Sequence, residues 1–125
     1  MQERGSAVAH CPLSNAYFSS QPFRLREALD TQVKVGLGTD IAGGYNIDIM
    51  NAMRMAVVTA RIREGQRVES GQSSGKSLSV DWKETLYLAT KGGAEALNIP
   101  GFRGSFETGA SFDAQMSSAT FSSPI

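Results

Sequence analysis

The chain carries one cysteine, Cys11, and one histidine, His10, adjacent to each other in 125 residues. A lone cysteine forms no internal disulfide, which agrees with a reducing compartment. The same scarcity restricts metal chemistry, because a catalytic zinc usually takes about three protein ligands, commonly rich in His or Cys. A cytidine-type deaminase centre needs His-x-Glu and a later Pro-Cys-x-x-Cys, and the inventory excludes it. An excess of one charge is lacking too, since 12 Lys plus Arg balance 12 Asp plus Glu. Nothing therefore draws nucleic-acid phosphate or an anionic membrane surface over long range. No apolar run approaches the roughly 20 residues that span a bilayer, and Met-Gln-Glu-Arg-Gly at the start lacks the apolar core of a secretory signal. No nucleic acid and no membrane is expected as a partner, and a cytoplasmic protein is the default.

A chain of this length is normally one domain. Small and apolar residues between Ser6 and Cys11 predict a buried strand, followed from Pro12 to Pro22 by a long connection of the kind that carries function. Leu25, Ala28 and Leu29 predict a short helix ending near Asp30, and Val33, Val35 and Leu37 a second strand whose glycines permit close packing. Ile49, Met53, Ala56 and Ala60 share one face of the next helix, with Asn51, Arg54 and Arg61 on another. A polar segment from Glu64 to Ser77, with three glycines and four serines, reads as a solvated loop over about 64–78. Ser79 and Asp81 are candidate caps for a last helix with Leu86, Ala89, Gly93, Ala96 and Leu97 on one face, bent or divided near Gly92-Gly93. The organisation expected is one domain over 1–114 and a disordered tail over 115–125. Strand, helix, strand, helix in this order implies a parallel βαβ unit, and two parallel strands alone leave open edges.

Asp40 directly follows the second strand, at the carboxyl end where βα-barrels gather catalytic side chains. It is either a metal ligand or general base, or an ordinary turn aspartate in a Gly-rich loop. His10 ends the first strand in the same way, as pocket wall or as a satisfied, partly buried imidazole. Cys11 reads as a small packed hydrophobe, because no second histidine is present to activate it. Gly71-Gln-Ser-Ser-Gly75-Lys76-Ser77 imitates a phosphate-binding loop but has three residues between its glycines where four are needed, and no preceding strand. Met50, Met53 and Met55 read as packing surface.

Ala9-His10-Cys11-Pro12-Leu13-Ser14-Asn15 and Val35-Gly36-Leu37-Gly38-Thr39-Asp40 resemble strands seven and eight of the amidohydrolase superfamily barrel, and within it most of all the guanine deaminases. Leu86-Tyr87-Leu88-Ala89-Thr90 with Gly92-Gly93-Ala94, and Gly104-Ser105-Phe106-Glu107 leading to Phe112-Asp113-Ala114, follow in family order. The resemblance implies an α/β fold forming the C-terminal portion of a TIM (β/α)8 barrel, strands seven and eight with their helices. It implies a zinc cofactor and a small-molecule purine substrate, with guanine hydrolysed to xanthine and ammonia. It assigns Asp40 to zinc, to substrate and to proton transfer between attacking water and leaving amine, a role a carboxylate beside a zinc-acidified water can fill. His10, Asn15 and Thr39 become pocket wall or support, and the complete protein is expected to be a homodimer.

The family's paired histidines after strand one, its later histidines and its general-acid glutamate have no counterpart here, and a complete barrel takes about 250 residues. Met1 thus reads as an internal methionine of a longer protein, and the isolated chain is expected to be inactive. Deaminases of other purines or adenosine derivatives, and triazine hydrolases, remain open by the same resemblance. A different class stays open as well: a non-catalytic fragment that binds a partner through exposed strand edges.

Overall fold

In the computed structural model, residues 5–41, 43–72, 74–99, 104 and 107–111 are described. Two short apolar stretches, Ala7–His10 (β1) and Lys34–Leu37 (β2), pair in parallel with Ala7 opposite Lys34 and His10 opposite Leu37. A parallel pair needs a crossover, because the chain must return to the starting edge before the second strand. Pro12–Phe18 (α1) and Leu25–Asp30 (α2) make that return. Ile49–Glu69 (α3), Trp82–Ala89 (α4) and Lys91–Ala96 (α5) follow, so the class is α/β, as expected.

The core gathers where β2 meets the helices. Leu25, Val35, Ala56, Ala60, Val80 and Leu88 form one buried cluster, with Val8, Phe23, Leu29, Leu37 and Val57 packed against it. Each Leu or Val side chain of the cluster stabilises the fold by about 1.5–3 kcal/mol when fully withdrawn from water. Gly36 lets α5 lie directly on β2, since a Cβ at this position would stand 3.0 Å from the Gly93 Cα. The close packing expected of the strand glycines is realised there. On α3, Met53, Ala56 and Ala60 are buried while Arg54 and Arg61 face solvent, and Asp48 caps the helix through Met50 N–H at 2.9 Å.

Three expectations are corrected. The connection after Pro12 is not irregular throughout: α1 starts on Pro12, whose missing N–H costs nothing in the first turn. The polar loop expected over about 64–78 begins only after Glu69, because α3 continues through Gly65. Its last turns are held from outside by Glu27 of α2, which Arg63 grips at 2.9 and 2.6 Å, and from within by Arg67, which grips Glu64 at 2.9 and 2.7 Å. Glu64 also accepts the Leu78 N–H, and these donors, Arg67 first, hold its carboxyl down at about 2. The third correction concerns α4, which turns Thr85 and Leu88 inward and leaves Leu86 exposed, as is Leu97 beyond α5. Thr85 packs as an apolar group once its hydroxyl donates to the Trp82 carbonyl at 3.0 Å.

Asp81 caps α4 as expected, in a capping box with Glu84 whose two bonds are both 2.9 Å. The division anticipated near Gly92-Gly93 falls at Thr90, between α4 and α5. The Phe112-Asp113-Ala114 cue and the 115–125 tail lie outside the described residues. Among the described residues no helix is long and apolar enough to cross a membrane.

Candidate active site

The register that pairs His10 with Leu37 carries the next residues of β2 past the same end of the ribbon as Cys11. Gly38 N–H donates to the His10 carbonyl at 2.9 Å, extending the ladder by one bond. Thr39 and Asp40 follow immediately, so the two strand tips that the sequence singles out are neighbours.

His10 is almost fully buried, with its ring tilted against Phe23 at 4.8 Å between centroids. Its Nδ1–H donates to Asn15 Oδ1 at 2.9 Å, which ties the end of β1 to the middle of α1. Burial lowers the imidazole pKa, and the Asn15 bond opposes this only in part. His10 is thus a neutral, anchored side chain shielded from solvent, not an open ligand.

Asp40 is exposed and adopts a left-handed backbone, with φ of 55°. Its carbonyl accepts the N–H groups of Gly43 and Gly44, which close a tight turn around it. Its carboxylate stays close to the tip of β1. Burial pushes the Cys11 thiol pKa up first, the Asp40 charge pushes it further, and a hydrogen bond with the Asp40 backbone works against both. Thr39 is partly buried, and its carbonyl oxygen packs where Gly44 passes. The structure therefore brings Asp40, Cys11, His10 and Asn15 to one end of the ribbon, with Asp40 outermost.

Among the described residues no three His, Cys, Asp or Glu side chains stand together as a metal site. Zinc usually needs about three protein donors, so this donor set does not fit a zinc on its own. Clefts between α2 and α4 and between α3 and α4 are lined by neither His10 nor Asp40. The sequence reading missed two neighbours of the site. Phe23 carries no periodic signal that could have tied it to His10, whereas Gly43 stood in plain view as a glycine pair just after Asp40.

Comparison with known proteins matches residues 1–123 to the model of the amidohydrolase family. Guanine deaminase of Homo sapiens is 45% identical over 112 residues, which cover 90% of this chain and 23% of that protein. The structure of E. coli guanine deaminase superposes with a TM-score of 0.71 at 31% identity, covering 87% of this chain and 23% of that one. Guanine deaminase from C. acetobutylicum, solved with guanine bound in its active site, gives 0.69 at 30% identity, covering 86% and 24%. The chain thus spans about a quarter of the length of the proteins it matches.

Proposed function

The chain belongs to the amidohydrolase family, and from that premise we propose that it contributes the last two strands of a guanine deaminase-type (β/α)8 barrel. The complete barrel hydrolyses guanine to xanthine and ammonia. The observation that carries the reading is Asp40, an exposed carboxylate at the carboxyl end of β2 beside the tip of β1. Chemistry in barrels gathers at that end. The guanine deaminase relatives and the open parallel ribbon support the same reading.

In this mechanism Asp40 accepts a proton from the attacking water and returns it to the departing amine, so that ammonia leaves as a neutral molecule. In the complete protein a zinc would be held by Asp40 together with donors from outside this chain, and it would supply acidity to the attacking water. His10 and Asn15 fix the neighbouring strand tip, so that the wall beside the substrate keeps its shape. Thr39 sits at the same rim.

The test is a chimera in which residues 1–123 replace the matching part of Homo sapiens guanine deaminase. Xanthine formation by the chimera, and none by the 125-residue chain alone, is the expected result. Turnover with stoichiometric zinc by the isolated chain would defeat the proposed division of labour, and a folded chimera without activity would defeat the assignment. A second reading follows from the two outer edges of the ribbon, which pair with no further strand among the described residues: a non-catalytic chain that binds a partner by strand addition.

A further inference from the structure

A non-glycine residue in the left-handed region costs free energy and persists only where its surroundings hold it. Around Asp40, with φ of 55°, the holding groups are main-chain ones: Gly43 and Gly44 donate to its carbonyl. The Asp40 carboxylate, by contrast, makes no hydrogen bond or ion pair among the described residues. It lies against Gly43. A Cβ placed on Gly43 would stand 2.3 Å from Oδ2, 2.9 Å from Cγ and 3.4 Å from Oδ1 of Asp40.

Gly43 does not adopt a positive φ, so an alanine could follow the same backbone path. An alanine there would meet only the carboxylate, which would have to turn aside, so what the glycine preserves is this orientation of Asp40 and not the course of the chain. Gly44 behaves differently, because its Cβ would meet the Thr39 carbonyl oxygen at 2.8 Å, and no side-chain rotation relieves that contact. We infer that Gly43 is a positioning residue for Asp40: carrying no Cβ, it leaves the carboxylate room for the direction in which it faces the reacting groups, a direction that a larger residue would deny it. The catalytic meaning of this rests on the reading of Asp40 given above; the geometry does not.

The experiment reads the carboxylate through its neighbour. The rate of Cys11 alkylation by iodoacetamide is measured at constant pH in the full chain and in D40N, G43A and D40N/G43A, with far-UV circular dichroism on each. Removing the charge that disfavours the thiolate should speed alkylation about threefold in D40N. G43A should change the rate about twofold or more, in either direction, while Asp40 is present, and leave it unchanged in the D40N background. An equal effect of G43A in both backgrounds, or none in either, would overturn the inference. So would a D40N rate equal to the parent's, or loss of the helical signal in G43A alone, since the glycine would then serve the fold. None of these rates depends on deamination, so the positioning role and the proposed function can fail separately.

Discussion

The helical flank and the strand tips of this molecule are built on opposite terms. On the flank, charges are paired and oriented. Arg26 of α2 donates to Glu84 at 2.7 Å and to the Ser79 carbonyl at 2.8 Å, and Arg63 of α3 takes both oxygens of Glu27. At the tips, the Asp40 carboxylate has no hydrogen-bond or ion-pair partner among the described residues, its backbone is left-handed, and Ile41, Tyr45 and Ile47 after it stand more than two-thirds exposed. Stability is thus concentrated where no chemistry is proposed, and the segment around Asp40 is held by a few main-chain bonds. Functional groups commonly occupy such strained, under-paired positions on a rigid scaffold.

Four measurements can break or sharpen this contrast. The largest effect belongs to the flank: Leu88→Ala empties a site 1% exposed and should cost about 2–5 kcal/mol in urea unfolding. A loss below 1 kcal/mol would mean the flank is not the stabilising region. Next, Asp40→Asn in the chimera should lower xanthine formation by about a hundredfold or more while leaving the melting temperature unchanged. A melting shift larger than the activity loss implies would erase the distinction between the regions. Asp81→Ala removes the α4 cap and should cost about 1 kcal/mol, read in the same unfolding experiment, with no effect on the chimera's kcat.

The smallest effect is a pH dependence at the tip of β1. His10 has its pKa lowered by burial, so as the pH falls below the ordinary histidine value the unfolded chain takes up the proton before the folded one does. Its contribution is complete above about pH 6.5 and declines as acidity increases. Calorimetry should show a melting temperature that drops between about pH 7 and about pH 5. That slope should flatten in His10→Phe. An unchanged slope would place the acid sensitivity elsewhere.

Much of this arrangement was legible in the residues. Short apolar runs ending in His10 and Gly38 marked both strands, and Asp81, one of two candidate caps with Ser79, marked the start of α4. What stayed hidden depended on partners distant in sequence. The last turns of α3 look like loop because Glu64, Gly65 and Arg67 are polar or flexible, yet Glu27 and Leu78 hold them helical. Thr85 is polar and was not among the apolar positions read as the inner face, yet with its hydroxyl donating to the Trp82 carbonyl it is buried. At the site, the strand-end position of Asp40 was readable from Gly38-Thr39-Asp40, but its contact with Gly43 is a matter of ångströms that spacing does not encode. α1 was missed for a related reason: Asn15 is a poor helix former, and its side chain is engaged by His10 across the turn.

The ribbon of β1 and β2 is two strands wide, each four residues long. Anything that lies alongside it in register gains a row of ready amides, and another molecule of the same chain is the neighbour always at hand during expression. Copies stacked this way would repeat at about 4.8 Å. Soluble yield should then fall as concentration rises, and recover when a flanking strand is supplied.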